Sequence, residues 1–455
     1  MVIFARRGGI FCPLHKFDLN FTKSTMKNAN KVSRSFQHMI LLCGCLLIYY
    51  SVSARQHKPT ESGYIAQKTQ GIDSDYVLIF NSYSESAPWC RSLVDSTVMD
   101  LIKLSPQTMT VTQNLNSGLL RDEKALAQLR QQVDVSYHDK PRMIIYIGST
   151  SWPFLHETIE KKWGKVPSII FSDIDYTGPI TNLLRKTPIA PALRIPYDKI
   201  VKEYEGALSV VYMPIYLRQS LALMHQLTPP MTELCFISDT RWISAQMRAD
   251  MAAITKTDFP ELKVRYLISA DMSTLDLLDS LQHYGQETGV LFFSWLKQSQ
   301  VGDSFVNDSH FRIIISKSAR QPLFVLNDNE VNTDSDVLGG YFPTRAAVSH
   351  HIRLALEKTL AGQPGSFQTV EPAQPVIDYL TLIRKGISPD LLPSNTHIYW
   401  KPDNFFHQYR YLLGGGALIV AVLLLIIYFL SRSRTQQRKV LTYMAQYRNL
   451  FENMP

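Results

Sequence analysis

The feature that most constrains this chain is an uninterrupted apolar segment close to its C-terminal end. Residues 412–430, LLGGGALIVAVLLLIIYFL, carry no charged side chain. At about 1.5 Å per residue, a helix of that length crosses a hydrocarbon core of roughly 30 Å. Tyr409, Tyr411 and Tyr428 lie near the two ends of the segment, where aromatic side chains suit the membrane interfaces. The sequence therefore predicts a transmembrane helix over residues 412–430.

The distribution of positive charge orients this span. The net charge is +8, and much of it flanks apolar segments: residues 432–439 hold four Lys and Arg, and residues 1–38 hold seven against Asp18 alone. The positive-inside rule therefore places the C-terminal end in the cytoplasm. Because much of the basic charge lies outside the globular part, the sequence predicts no nucleic-acid partner.

A second, shorter apolar segment lies near the N-terminus, and two interpretations of it stay open. Residues 1–38 are predicted to be a basic cytoplasmic tail or the n-region of a signal peptide. Residues 39–54 are predicted to be a cleaved signal peptide or a first transmembrane span, and the VSA sequence at 52–54 resembles a signal-peptidase site. Under both interpretations residues 55–410 are exported.

The exported region lacks the sequence motifs of enzymes and metal sites. It contains no Gly-x-Ser-x-Gly, His-Glu-x-x-His or Walker glycine loop, so neither a catalytic residue nor a cofactor is predicted within residues 1–455. Its two cysteines, Cys90 and Cys235, form no Cys-x-x-Cys pair, and no metal site is predicted. We expect both to be free, mostly buried thiols, with a bridge between them as the alternative.

Apolar runs alternate with helix-length segments along residues 76–328. The runs are β-branched or aliphatic and nearly continuous, which is typical of parallel strands covered on both faces. They are YVLIF (76–80), RMIIYIG (142–148), PSIIFSD (167–173), ELCFISD (233–239), KVRYLIS (263–269), GVLFFSW (289–295) and PLFVLND (322–328). Residues 190–230 separate the series into two halves. The sequence therefore predicts an α/β fold of two Rossmann-like lobes joined by a crossover.

Polar and aromatic side chains near the ends of these strands define a candidate ligand site. Ligands of open parallel sheets bind beyond the carboxyl ends of the strands, and in a two-lobed protein those ends face a shared cleft. The candidate ligand-binding residues are Ser82, Tyr83, Trp89, Gly148, Ser149, Thr150, Asp173, Tyr176, Trp295 and Asp328.

The residue types indicate what these candidates can bind. Ser82, Ser149 and Thr150, with backbone N–H groups at helix N-termini, suit a carboxylate or another anion. The aromatic rings suit an apolar or ring-bearing part of a ligand, and Asp173 or Asp328 suits an amine. Each residue can equally serve as core packing or as a helix cap, and both interpretations stay open.

Four segments of the exported region resemble landmarks of one protein family. VLIFNSYSESAPW, RMIIYIGSTSWPFL, VLGGYFPTRAAVSHHIRLALEKTLAGQPGSF and PVIDYLTLIRKGISPDLLPSNT are similar to successive segments of type 1 periplasmic binding proteins, in the branch of ABC-transporter substrate-binding proteins that also occur as sensor ectodomains. The resemblance spans about residues 74–396. It implies a Venus-flytrap domain that closes on a small solute, in a protein of the bacterial inner membrane whose residues 55–410 are periplasmic.

The resemblance also implies where the lobes divide. Lobe one is expected at about residues 74–198 plus 339–365, and lobe two at about residues 199–335. A free binding protein of this kind would end near residues 392–393, whereas this chain continues directly into the predicted span. The solute-binding lobes are therefore expected to be tied to the membrane.

The segment after the span resembles the start of a signalling module. Apolar residues from Val440 to Phe451 recur at spacings of three and four, so residues 431–447 are predicted to be a signalling helix; a solvated juxtamembrane helix is the alternative. YRNLFENMP, at 447–455, resembles the opening of a PAS domain, so residues 448–455 are predicted to begin one. By resemblance of this architecture, the full-length protein is predicted to be a histidine kinase that uses ATP and Mg²⁺, forms a homodimer and has a cytoplasmic response regulator as partner.

These observations predict a membrane-bound sensor whose exported domain binds a small-molecule ligand. Two alternatives stay open. The chain can be the membrane-tethered substrate-binding component of an ABC transporter, or a receptor for another output enzyme such as a diguanylate cyclase. The residues present do not distinguish these output enzymes, because the motifs that would do so lie in the expected downstream domains.

Overall fold

The structure of the protein is a computed structural model that describes residues 75–84, 87–228, 231–298, 305–306, 311–402 and 409–452. The predictions for residues 1–38 and 39–54 lie outside the described residues. The same holds for residues 453–455, at the end of the segment assigned to a PAS domain.

The strands are short, and those of the predicted apolar runs are mostly buried. In chain order they are β1 (Tyr76–Asn81), β2 (Met109–Asn114), β3 (Met143–Ile147), β4 (Ser168–Ser172), β5 (Tyr176–Thr177), β6 (Ile195–Pro196), β7 (Leu208–Tyr212), β8 (Glu233–Ser238), β9 (Lys263–Ile268), β10 (Thr288–Phe292), β11 (Lys297–Gln298), β12 (Phe305–Val306), β13 (Leu323–Val325), β14 (Val337–Pro343), β15 (Phe367–Thr369), β16 (Ala373–Asp378) and β17 (His397–Tyr399). The seven predicted runs form β1, β3, β4, β8, β9, β10 and β13.

The helices alternate with these strands. In chain order they are α1 (Pro88–Leu104), α2 (Glu123–Ser136), α3 (Ser151–Trp163), α4 (Ile180–Arg185), α5 (Tyr197–Glu203), α6 (Leu217–Leu227), α7 (Trp242–Asp258), α8 (Thr274–His283), α9 (Phe311–Ser318), α10 (Arg345–Leu360), α11 (Tyr379–Arg384) and α12 (Arg410–Glu452). Several begin at side-chain caps that the sequence supplies. Asp122 accepts from the N–H of Ala125 at α2, and Ser273 and Asp276 form a capping box at α8.

The first sheet is entirely parallel. Within the described residues its six strands lie in the order β15-β7-β4-β3-β1-β2. Every residue of β1, β3 and β4 is buried, as expected for strands with helices on both faces. These strands supply much of the hydrophobic core of the first lobe.

The second sheet repeats this arrangement and extends it. Within the described residues its seven strands lie in the order β17-β16-β14-β13-β10-β8-β9, parallel except for the antiparallel pair of β14 and β16. Counted along the chain, both sheets begin with the order 2-1-3-4-5 of flavodoxin-like doubly wound folds. The predicted α/β fold with two Rossmann-like lobes is confirmed.

The sheets divide the chain differently from the predicted lobe boundaries. Residues 199–335 were assigned to lobe two, but β7 within that range pairs with β4 in the first sheet. Residues 339–365 were assigned to lobe one, but β14 lies in the second sheet and only α10 packs on the first lobe. The reason is that strand pairing decides which lobe a strand belongs to, whereas the boundaries implied by the resemblance took no account of pairing.

The described part of the chain ends in one long helix. α12 runs through Arg410–Glu452 and is long and apolar enough to cross a membrane. Its apolar side chains at residues 418–430 are exposed in the chain itself, so they have no protein core to face. The predicted signalling helix, residues 431–447, continues this helix without a break; its signalling role stays a prediction.

The two cysteines within residues 55–410 are free and buried. Cys90 lies in α1, and Cys235 lies in β8. Burial raises the pKa of both thiols, that of Cys235 to about 11. The prediction of two free thiols is therefore confirmed.

Candidate ligand-binding cleft

The candidate site lies where the chain passes from one sheet to the other. Within the described residues these passages are at residues 213–216, 344 and 370–372. A cavity of about 180 Å³ lies beside the first two passages and is lined by both lobes. It is smaller than the roughly 300–1,000 Å³ of sites for drug-sized ligands, so it suits a small solute.

The strand order explains why the lining residues meet there. In each sheet, the chain reverses its direction of strand addition between the first and third strands, that is, between β1 and β3 and between β8 and β10. Loops after such a pair of strands diverge and leave a crevice. Tyr83 follows β1, and Phe293, Ser294 and Trp295 follow β10, at the cavity wall.

Asp173 is the acidic residue of the first-lobe wall. It follows β4, it is buried, and its Oδ1 accepts no hydrogen bond within the described residues. Loss of hydration raises the pKa of this carboxyl from 3.8 to about 6, although its own backbone N–H, the charge of Arg241 and the Ser149 hydroxyl lower it in part. A buried carboxyl with an unused acceptor is costly unless a ligand supplies the missing partner.

Arg241 is the basic residue on the second-lobe side, and the sequence interpretation missed it. Its Nε donates to Asp239 Oδ2 at 2.8 Å, and its backbone N–H donates to Asp239 Oδ1 at 2.9 Å. Its guanidinium lies over the ring of Tyr83, 4.6 Å from the ring centre, so it bridges the two lobes. The available signal was its position two residues after Asp239, which was recognised as a strand-end residue.

Asp328 lines the cavity and is held in place by hydrogen bonds within the protein. Its Oδ2 accepts hydrogen bonds from the Tyr399 hydroxyl at 2.7 Å and from the backbone N–H of Arg345. Its Oδ1 is buried and has no hydrogen-bond partner within the described residues. One oxygen of this carboxylate is therefore committed to the protein, and the other is left for a ligand.

The structure brings together only half of the predicted site residues. Those that line the cavity are Tyr83, Trp89, Asp173, Trp295 and Asp328. Those that do not line it are Ser82, Gly148, Ser149, Thr150 and Tyr176. Of the latter group, Tyr176 stacks instead beneath the guanidinium of Arg194, 4.4 Å from the ring centre.

The serine and threonine candidates form a supporting layer beneath the cavity. Ser82 Oγ accepts from the backbone N–H groups of Thr150 and Ser151, at 3.4 and 2.9 Å. These are the N–H groups at the start of α3 that were expected to bind an anion, and a side chain of the protein already occupies them. Gly148 has φ of +88°, and a Cβ there would meet Ser82, so this glycine permits the close packing.

The two lobes touch on both sides of the cavity. Ser92 Oγ donates to Asn329 Oδ1 at 3.1 Å across the cleft. On the other side, the Trp242 ring N–H donates to the carbonyl of Thr187 at 3.0 Å, and Gln246 Oε1 accepts from the N–H of Ile189 at 2.9 Å. Side-chain hydrogen bonds therefore join the two lobes near the cavity.

Fold and site together define a two-lobed α/β protein with a cavity between its lobes. No protein-family model matches the sequence, and no curated protein matches it. Among solved structures, a conserved domain protein from Vibrio cholerae is 9% identical with a TM-score of 0.46, covering 71% of this chain and 100% of its own.

Two further solved structures are similar and contain ligands. The ABC domain in complex with L-Trp from Streptococcus pneumoniae is 11% identical with a TM-score of 0.42, covering 72% of this chain and 100% of its own. A carbohydrate transporter solute-binding protein from Agrobacterium radiobacter, in complex with D-arabinose, is 10% identical with a TM-score of 0.40 and covers 67% and 94%. The fold assignment itself rests on the sheet topology given above.

Proposed function

We propose that this protein is a membrane-anchored receptor that binds a small solute in the cleft and passes the binding signal through α12 to a cytoplasmic output module. The proposed output is a PAS domain followed by a histidine kinase, which would use ATP and Mg²⁺ and act on a response regulator. That part of the proposal rests on the resemblance of residues 448–455 and on the architecture. The solute-binding part rests on the cleft.

The observation that carries the proposal is that Asp328 both lines the cavity and bonds Tyr399. This residue lines the cavity, and its Oδ2 accepts a hydrogen bond from Tyr399. Tyr399 ends β17, the edge strand of the second sheet and the last strand before α12. Solute binding thus changes the surroundings of a carboxylate that directly holds the segment leading to the membrane.

The adjoining residue supports a mechanical role for this segment. Trp400 has φ of +51°, in the left-handed region that a tryptophan rarely adopts, and its ring packs 5.1 Å from that of Tyr399. β17 is three residues long and pairs with β16 alone among the described strands. A short edge strand that is followed by a strained residue is easily displaced when one of its side-chain anchors changes.

The solute-binding part is tested by thermal unfolding of the full chain in lipid nanodiscs against amino acids, amines, sugars, nucleosides and anions. A solute present at 100 times its Kd adds about 2.7 kcal/mol to the free energy of unfolding, which raises the unfolding midpoint. A hit whose effect is lost in the Trp295→Ala variant supports binding in this cleft. No shift with any solute contradicts the proposal.

The signalling part predicts that Tyr399→Phe separates binding from transmission. The variant keeps the ring but loses the hydroxyl that bonds Asp328, so the affinity for a solute hit should stay within about threefold of wild type, less than 1 kcal/mol. The solute-induced change in hydrogen exchange at residues 397–402 and 409–412, measured by mass spectrometry, should disappear. Tyr379→Phe, the same change on the same lobe but outside the cavity and β17, should retain it.

The same measurement separates the receptor from the alternative of a tethered ABC-transporter component. If α12 only anchors the domain, solute binding leaves exchange at residues 409–412 unchanged in the wild type as well. A receptor for another output enzyme, such as a diguanylate cyclase, would show the same transmission as the proposed kinase. The motifs of the output domain itself would distinguish these two outputs.

A further inference from the structure

Two unused carboxylate oxygens of the cavity come from opposite lobes. Asp173 Oδ1 belongs to the first lobe and Asp328 Oδ1 to the second, and neither accepts a hydrogen bond within the described residues. Buried polar atoms in proteins are almost always hydrogen-bonded, so both atoms indicate donors that a ligand brings. Since the two residues lie on opposite walls, the ligand must present donors at two separate positions.

The charged side chains that line the cavity carry a net negative formal charge. The lining contains the carboxylates of Asp173, Asp328 and Glu330 and the guanidinium groups of Arg241 and Arg345. The charge of Arg241 is already met by Asp239 directly behind it. Counting this pair as neutral, and leaving Glu330 out of the count, leaves the carboxylates of Asp173 and Asp328 against the guanidinium of Arg345, so the formal charge that faces a ligand is negative.

The remaining walls of the cavity are largely aromatic. The rings that line it are those of Tyr83, Trp89, Phe292, Phe293, Trp295 and Phe342. These surfaces favour contact with methylene or ring carbons and with the faces of cationic groups. The lining therefore combines two acceptor positions with apolar surface between them.

We infer that the cleft takes a small organic cation with ammonium or amidinium donors at both ends of a short apolar body, in the manner of an α,ω-diamine. This inference rests on the proposed solute-binding function and names the chemical class of its ligand. Dianions are excluded because both unused atoms are acceptors on acidic residues. Neutral polyols supply donors but do not neutralise the excess carboxylate charge.

Four-carbon compounds with different end groups test the inference directly. 1,4-Diaminobutane, 1,4-butanediol, 4-aminobutanoate and succinate share one chain length and differ in the charge and donors of their ends. Each is titrated into the full chain in phosphatidylcholine nanodiscs, whose zwitterionic lipids do not attract the diamine, and the shift of the thermal unfolding midpoint gives Kd. We expect the diamine to bind at least tenfold more tightly than the diol and succinate to give no shift.

A matched pair of variants locates the binding. Asp173→Asn keeps the shape of the side chain and removes its charge, so it should weaken diamine binding by tenfold or more. Asp122→Asn makes the same chemical change at an exposed helix cap outside the cavity and should leave Kd unchanged. Because asparagine also caps helices well, the control variant folds normally.

The outcomes separate the inference from the function on which it rests. Binding of butanediol or succinate as tightly as the diamine overturns the inference, and so does undiminished diamine binding by Asp173→Asn. If no four-carbon compound binds but a sugar or a nucleoside from the wider set does, the ligand class is wrong and the receptor proposal stands. If nothing in either set binds, both fail.

Discussion

Replacing Gly339 with alanine is expected to prevent the second lobe from folding stably, at a cost of more than about 4 kcal/mol. Gly339 has φ of +136°, a conformation that side-chain-bearing residues rarely adopt. A Cβ at this position would also overlap the carbonyl oxygen of Val376 on the neighbouring strand β16. Backbone atoms of a paired strand cannot move aside without breaking the sheet, so strain and overlap add.

Gly362→Ala is the matched control for this change. Gly362 also has a positive φ, +68°, but lies just after α10 with open space around its Cα. The same substitution there costs only the backbone strain, about 1 to 2 kcal/mol. Thermal unfolding of the full chain in nanodiscs should show a modest decrease in the midpoint for Gly362→Ala and no cooperative transition of the second lobe for Gly339→Ala. Equal midpoints for the two variants would contradict the close packing of β14 against β16.

Asp173→Asn is expected to stabilise the solute-free protein at neutral pH by up to about 3 kcal/mol. Burial raises the pKa of Asp173 from 3.8 to about 6, and each pKa unit corresponds to about 1.4 kcal/mol. Asparagine carries no charge at any pH, so it avoids the cost of burying the ionised form. The variant should therefore be more stable than wild type while binding its solute less well, as is common when a binding-site residue is replaced.

The pH dependence of the folding stability shows the direction of this effect. Between about pH 4 and pH 6 the folded protein holds a proton on Asp173 that the unfolded chain has released, so the stability that protonation contributes is lost as pH rises through this window. Below about pH 4 the carboxyl is neutral in both states, and wild type and variant should differ little. Thermal midpoints of both proteins measured from pH 4 to pH 8 should diverge as pH rises. Parallel curves, or a variant less stable than wild type at pH 7, would contradict the unpaired burial of this carboxyl.

Several strands were not recognised in the sequence, and their burial explains why. β2 reads MTVTQN and is a partly exposed edge strand, so it lacks the continuous apolar run that marked the central strands. β16 and β17 lie at one edge of the second sheet and follow the last predicted run along the chain. Of the edge strands, β9 was recognised, because its sequence KVRYLI contains a largely apolar segment.

The site prediction was limited in a related way. Strand ends correctly indicated Tyr83, Asp173 and Asp328, because every parallel strand delivers its following residues to the same edge of the sheet. Proximity to a strand end did not reveal which residues line the cavity. Ser82 and Thr150 were therefore included, although Ser82 bonds the backbone at the start of α3 and the Thr150 hydroxyl bonds Ser117. Arg241 was missed because its role depends on a ring of the opposite lobe.

The amino-acid sequence alone determined the α/β class, the central strands, the free cysteines and a long apolar C-terminal helix. These features follow from local patterns of apolar, polar and charged residues, which act over a few neighbouring positions. Only the tertiary structure decided that β7 joins the first sheet, that β14 joins the second, and that Asp328 lines the cavity while its Oδ2 accepts a hydrogen bond from Tyr399. Those facts depend on contacts between residues far apart along the chain, and the partner in such a contact is chosen by packing and strand pairing rather than by any local pattern.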